Sequence, residues 1–280
     1  MVVRNLLPLD EQSARLTVSL IVPVLNHEPR LRDVLEEIQS LPADLERELL
    51  IVCDVTRPGS LDEIQREHKA LEDRYNARCL RRLHERGFGS ALRAGFEASR
   101  GNVIIPIMGD CSDDIQAIPR MVARVAAGAD IAVGSRYMPG GAIVGDTPKQ
   151  EISRLYSRTM RALSTVSCDD VSNSFRAYSR RVWENIPNEA NSFDISVEMT
   201  VKAAAHGYRI EQVPAVWTNR EAGRSSFRML KELPNYARWL LYGMRRAPSL
   251  SLIIAVPVGA VSLVLMIGWL LTLARGRRNE

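Results

Sequence analysis

Residues that bind soft or borderline metals are few in this chain and badly spaced. Its four cysteines, Cys53, Cys79, Cys111 and Cys168, form no C-x-x-C pair. That excludes a zinc ribbon and a disulfide framework, and they read as reduced thiols. The four histidines, His27, His68, His84 and His206, never recur at ligand spacing. No G-x-S-x-G elbow supports hydrolase chemistry. Lys and Arg are not gathered into one block, and a net charge of +4 gives nucleic-acid binding little support. An anionic membrane surface is the better-matched partner. Met1 to Glu11 lacks the apolar core of an export signal, so the catalytic part is expected to stay cytoplasmic.

One absence is longer than the rest. No charged residue occurs from Ala247 to Ala274, while Arg245 and Arg246 precede the run and Arg275, Arg277 and Arg278 follow it. Such a run is long enough to cross a bilayer once, and Pro257 and Gly259 are tolerated in membrane helices. Charge counting does not fix its orientation. Before it, Arg228 to Tyr242 reads as a broken amphipathic helix, interrupted at Pro234, and its composition suits a membrane interface and core packing equally. The expected organisation is a cytoplasmic catalytic domain over 1–226, an amphipathic linker over 227–246, a membrane helix over 247–274 and a basic tail over 275–280.

With 46% apolar and 25% charged residues in 280, the chain buries a substantial core. Short apolar runs alternate with helical periodicity. Strands are expected at 16–24, 48–54, 78–83, 103–108 and 131–134, with helices at 29–40, 60–75, 88–99 and 115–127. This is the rhythm of a doubly wound α/β sheet. From Gln150 onward the order loosens into a helix, a strand at 174–179, a helix at 195–206 and a strand at 208–217.

The densest chemistry lies between Gly101 and Gly141. The run Val103 to Met108 ends in Gly109-Asp110-Cys111-Ser112-Asp113-Asp114, and the next apolar run stops at Gly134-Ser135-Arg136-Tyr137. Ligands of open parallel sheets bind at the strands' carboxyl ends, which these two runs are expected to present side by side. Clustered carboxylates there suit a hard divalent cation, and arginine suits phosphate. Asp113 and Asp114 equally read as caps of the helix that follows, and Asp54 as a turn former. The Gly87 and Gly89 pair reads from spacing alone as a helix-entry turn.

Several segments taken in order resemble the family 2 glycosyltransferases of the dolichyl- or polyprenyl-phosphate sugar (mannose) synthase type. Val18 to Glu28 is similar to the opening strand and P-x-x-N-E loop, and Ile51 to Thr56 to the V-D-D-G-S segment. Arg86 to Ala91, Gly95, Asp110, Gly134 to Tyr137 and Ser174 to Ser179 follow, and Val213-Pro214 through Arg220 to Ser225 is similar to a V-P…R-x-x-G-x-S element. The resemblance covers roughly Thr17 to Tyr242. It implies a Rossmann-like (GT-A) nucleotide-sugar-binding fold with a mostly parallel sheet, and an inverting, metal-dependent hexosyltransferase using Mg²⁺ or Mn²⁺. The implied donor is GDP-mannose or a UDP-sugar, and the implied acceptor a polyprenyl or dolichyl phosphate.

Carried onto this chain, the donor set is Pro23, Asn26, Glu28, Asp54, Gly87 and Asp110. Asp110, Arg136 and Arg220 form the catalytic set. Arg136, Arg154, Ser157 and Ser225 hold the acceptor phosphate, and Asp110, Asp113 and Asp114 the metal. The chain departs from the family at D-x-D, where Met108-Gly109-Asp110 keeps only the second carboxylate, and Cys53 stands where aspartate is common. A transferase acting on a glycan or glycolipid hydroxyl, or a membrane-tethered nucleotide-sugar-binding subunit without turnover, stay open beside the main reading.

Overall fold

The computed structural model describes residues 16–25, 28–55, 61–82, 87–145, 148–219 and 229–247. Among them, nine strands and eight α-helices alternate from β1 (Val18–Leu25) to α8 (Met229–Arg246). The first half follows the expected rhythm closely: α1 (Leu31–Gln39), β2 (Arg47–Asp54), α2 (Leu61–Tyr75), β3 (Ala77–Arg82), α3 (Phe88–Ala98) and β4 (Val103–Pro106). A 3-10 turn at Ile115–Ala117 leads into α4 (Ile118–Ala126) and then β5 (Ile131–Ser135). The second half adds β6 (Ala142–Val144), α5 (Pro148–Leu163), β7 (Arg176–Ser179), α6 (Arg180–Asn185), α7 (Ile195–Ala205), β8 (Ile210–Pro214) and β9 (Val216–Thr218).

The central strands are apolar on both faces because helices cover both sides of the sheet. Residues alternate between the faces: Leu20, Val22 and Val24 pack with Val34, Leu35 and Ile38 of α1 and Met121 of α4. Ile21, with Leu50 and Val52 of β2, faces Phe96, Met160, Val201 and Trp239 on the other side. Gly95 lets α3 lie close on the sheet, since a Cβ there would sit 2.4 Å from Ile21 Cγ2. Each fully buried aliphatic side chain contributes about 1.5–3 kcal/mol.

The strand order is β3-β2-β1-β4-β7-β5-β8, parallel except for β7, which runs antiparallel between β4 and β5. The ends of β4 and β5 are therefore not neighbours, as the sequence had suggested. After β5 the chain makes the long α5 excursion, re-enters at the same end of the sheet and runs back antiparallel, so a third strand occupies the seam. The expected strand over 208–217 divides at Ala215, whose N–H bonds Ser135 O (3.1 Å). Beyond it β9 leaves the main sheet and pairs in parallel with β6 as a separate two-stranded ribbon.

Helix α8 is continuous through Pro234, which sits in its second turn, so the expected break is not found. Its inner side carries Trp239, fully buried against α7, with Nε1 donating to Asp194 Oδ2 (2.7 Å). Its outer side exposes Lys231, Arg238, Leu241, Arg245 and Arg246. Inner packing and an amphipathic outer face thus coexist. Among the described residues no helix is long and apolar enough to cross a membrane. The uncharged run, apart from Ala247, and the basic tail lie outside the described residues.

Candidate active site

The carboxyl ends of β1, β2 and β4 converge on an acidic corner. Gly109 begins the turn after β4, with Glu28 Cγ 3.4 Å from where its Cβ would be and Pro23 O at 3.8 Å. A Cβ at Gly109 would make ordinary van der Waals contact with the β1 loop, so the turn beside Asp110 packs on that loop without excluding a small side chain. Asp110 is 7% exposed, and its Oδ1 accepts from Ser112 N (3.2 Å) across Cys111. Cys111 adopts φ 60°, a left-handed conformation rare for a residue with a Cβ, of the kind that collects at functional turns.

Asp113 is buried deeper, with Oδ2 accepting from Met108 N (2.8 Å) and Oδ1 enclosed without a partner. Burial pushes its pKa up to about 7, and the Asp110 carboxylate adds to the rise. Asp114 turns elsewhere: its Oδ2 accepts from Val216 N of β9 (3.2 Å) and lies 3.7 Å from Arg120 Nη2. Asp114, which the sequence placed in the metal set, holds the ribbon through this oxygen. Neither Asp113 nor Asp114 caps the helix by a side-chain bond in the way the spacing allowed.

Among the described residues no group of three His, Cys, Asp or Glu side chains is arranged to hold a metal ion. Asp110 and the unpartnered Oδ1 of Asp113 nevertheless fit a hard cation that takes one or two protein carboxylates and completes its shell with phosphate oxygens.

At the end of β2, Asp54 is 4% exposed and faces Arg82 of β3, with Nε 2.8 Å from Oδ1 and Nη2 3.3 Å from Oδ2. Arg82 Nη2 also donates to Ser90 Oγ (2.8 Å), which ties the pair to the start of α3. Gly87 precedes α3 with φ 122°, and a Cβ there would meet Asn191 O at 2.3 Å. Its place is that of the helix-entry turn, packed against the 190–192 segment. Arg82 was not singled out from the sequence, because its partner is 28 residues away on a neighbouring strand.

Across β7 lies a second, basic cluster. Arg136 is buried and bound bidentately to Asp170, Nε to Oδ2 at 2.7 Å and Nη2 to Oδ1 at 2.8 Å. Nη2 also reaches Ser153 (3.1 Å) and Ser172 (3.2 Å). Burial alone would raise the Asp170 carboxyl, but Arg136 more than offsets this and holds it below its ordinary value. Arg136 lies over the Tyr137 ring at 4.9 Å and within 6.0 Å of Trp217, while Arg154 covers Tyr137 at 5.0 Å. Arg154 also pairs with Glu151 (3.0 Å).

Ser157 is fully buried, and its Oγ accepts from Val171 N (3.1 Å). It therefore supports the Asp170 loop from inside and presents no hydroxyl to a ligand, contrary to the acceptor role expected of it. Asp170 and Trp217 went unnoticed in the sequence. The Asp169-Asp170 pair shortly before the Ser174 motif was the available signal for Asp170. Asn26, Arg220 and Ser225 lie outside the described residues.

Comparison with known proteins places this geometry. A family model described as glycosyl transferase family 2 matches residues 19–186. The chain belongs to that family. It is 30% identical over 217 residues to a polyprenol monophosphomannose synthase of Mycolicibacterium smegmatis, covering 74% of this chain and 79% of the relative. It is 31% identical over 221 residues to an undecaprenyl-phosphate mannosyltransferase of Micrococcus luteus, covering 72% and 89%. A dolichol-phosphate mannosyltransferase of Pyrococcus furiosus is 24% identical over 231 residues, and the match spans 79% of this chain but 64% of that protein. Among solved structures, glucosyl-3-phosphoglycerate synthase of Mycobacterium tuberculosis, crystallised with Mn²⁺, UDP and glucosyl-3-phosphoglycerate, superposes with a TM-score of 0.59 at 20% identity, covering 85% of this chain and 82% of that one. The fold of this family 2 glycosyltransferase is thus the Rossmann-like GT-A arrangement, with a mostly parallel sheet.

Proposed function

We propose that this family 2 glycosyltransferase moves a sugar, with inversion, from GDP-mannose or a UDP-sugar to a polyprenyl or dolichyl phosphate at a membrane surface. One observation carries the reading. Identity to the polyprenol and undecaprenyl-phosphate mannosyltransferases spans 74% and 72% of the chain, more than the stretch 19–186 that the family model covers. The likeness therefore reaches into the half that would meet the acceptor.

The residues supply a consistent division of labour. Glu28, Asp54 and Asp110 line the carboxyl ends of β1, β2 and β4, where a nucleotide sugar is expected to lie. Asp110 and Asp113 would hold a Mg²⁺ or Mn²⁺ ion, whose chemistry there is to neutralise charge developing on the nucleoside diphosphate leaving group. A lipid monophosphate has a second pKa of about 6, is largely dianionic at neutral pH, and needs no base to attack. Positioning is then the protein's main contribution. The Arg136–Asp170 pair fixes one guanidinium in place, and Arg154 adds a more accessible one over the Tyr137 ring.

The uncharged run 247–274 serves in this reading as a single membrane anchor, with the catalytic domain on the cytoplasmic face. Helix α8 leads directly into it and carries an outer cationic stripe suited to anionic headgroups. A hydroxyl acceptor would instead require a base, and Asp113, with its pKa near 7, is the observation that favours this second reading.

The test is transfer itself. Detergent-purified full chain is incubated with Mg²⁺ or Mn²⁺, a polyprenyl phosphate and a panel of radiolabelled nucleotide sugars. Label in the organic phase that requires both metal and lipid phosphate supports the synthase and names the sugar. Donor binding without labelled lipid returns weight to a hydroxyl acceptor or to a binding subunit without turnover.

A further inference from the structure

Of the four cysteines, Cys53 and Cys168 are buried, while Cys79 and Cys111 are half-buried and reach the surface. The two accessible thiols stand in opposite surroundings. Around Cys111, burial pushes the thiol up, and the carboxylates of Asp33, Glu37 and Asp110 add to the rise. Cys79 instead lies beside a second thiol. Strands β2 and β3 pair Ile51 with Cys79 and Cys53 with Arg81, so these four side chains share one face of the sheet. That face packs against Leu71 and Tyr75 of α2. The Cys53 thiol donates to the Cys79 sulfur, a bond that draws Cys79 below the ordinary thiol range, with Arg81 assisting, and pushes Cys53 up.

The pair lies under a cleft. Between α2 and β3 a space of about 460 Å³ is lined by Cys79 and Arg81 from the strand and by Arg66, His68, Lys69 and Glu72 from the helix. That volume is ample for a small molecule. Three cations outnumber the one carboxylate, and Glu72 Oε1 already accepts from Cys79 N (3.0 Å). His68 is 8% exposed, and its Nδ1 is enclosed without a hydrogen-bond partner. The Cys79 S–H reaches His68 O at 3.8 Å, a weak bond that costs little to give up.

We propose that Cys79 is a site of reversible S-thiolation, at which an anionic low-molecular-weight disulfide of the glutathione type leaves one half in the α2–β3 cleft. The Cys79 thiolate attacks one sulfur of the disulfide, a new S–S bond forms, and the other half departs as a thiolate that takes up the proton Cys79 released. Cys79 is oxidised and the departing sulfur reduced, so no further oxidant is needed. Arg66, Lys69 and Arg81 meet the carboxylates of the retained half, and His68 Nδ1 offers it a hydrogen bond that nothing in the protein uses. Cys53 stabilises the thiolate and closes no internal bridge. The two cysteines are offset by two residues along paired strands, a diagonal of about 7–8 Å that a disulfide spans only if the backbone moves.

The test treats the folded full chain with glutathione disulfide or with uncharged bis(2-hydroxyethyl) disulfide, followed by intact mass and peptide mapping. The glutathionyl adduct should map to Cys79, form about tenfold faster there than at Cys111, and be removed by dithiothreitol. Arg81→Gln should slow glutathione disulfide about fivefold more than the uncharged reagent. Cys53→Ala should slow both reagents about tenfold, because the thiolate loses its bond. Circular dichroism checks the fold of both variants, and the wild-type map decides the site without them. Adduct at Cys111 first, no adduct at Cys79, or a Cys53–Cys79 disulfide as the stable product overturns the proposal. Equal slowing of the two reagents by Arg81→Gln overturns the anion-binding role of the cleft.

Discussion

The acidic corner and the basic cluster flank the same seam in the sheet, yet their polar groups are satisfied in opposite ways. Around Arg136 the charges answer one another: Asp170 takes two guanidinium nitrogens, and Ser153 and Ser172 take a further bond each from Nη2. Around Asp110 the carboxylates crowd together, Asp113 keeps one oxygen without a partner, and burial drives that group toward neutrality. One region is a finished frame. The other leaves a carboxylate oxygen open, as the proposed binding of a cation and donor would require.

The comparison breaks first at Asp110. Asp110→Asn should lower transfer by at least about 100-fold while leaving the thermal midpoint within a degree or two, because the group serves ligands more than the fold. A large stability loss with retained transfer would remove Asp110 from the site. On the other side, Asp170→Ala should cost about 3–5 kcal/mol in urea unfolding, since it strands a buried guanidinium. Arg136→Met combined with Asp170→Leu should recover most of that stability and none of the activity, which separates the frame from its chemistry.

Asp113 sharpens the contrast through pH. Its ordinary pKa is 3.8 and its folded value about 7, so between roughly pH 4 and 7 the native state holds a proton that the unfolded chain has shed. Its contribution makes the protein less stable as pH rises through that window and leaves a constant deficit above it. Asp113→Asn should flatten the melting profile from pH 4 to 7 and raise the midpoint at pH 8 by a few degrees. The smallest effect is expected far from the seam. Trp239→Phe removes the bond to Asp194 and should cost about 1–2 kcal/mol in urea unfolding with kcat unchanged.

The donor half was legible in the sequence because its logic is local. Strands β1, β2, β4 and β5 each centre on an apolar run, each crossover is one helix, and Asp54 and Asp110 sit where two of the runs stop. What the sequence hid was pairing at a distance. Asp170 and Arg136 are 34 residues apart, and nothing in either segment names the other. The ribbon strands are three residues long, too short for any period to show. Strand β7 was seen as a strand, but its direction and its place between β4 and β5 are properties of the whole sheet. Asp114 illustrates a further limit: its spacing suited a metal or a cap, and only the return of β9 from 102 residues away shows what its carboxylate holds.

The position of β7 also bears on how the chain is made. Strands β4 and β5 are complete by Ser135, but the strand that joins them ends at Ser179. Until that segment leaves the ribosome, both strands keep an open edge able to pair with another nascent chain. A chain arrested between Leu163 and Phe175 should therefore be the species most prone to aggregate and the one most dependent on chaperones. Closure of the seam is a single late event, on which the donor and acceptor halves depend alike for their register.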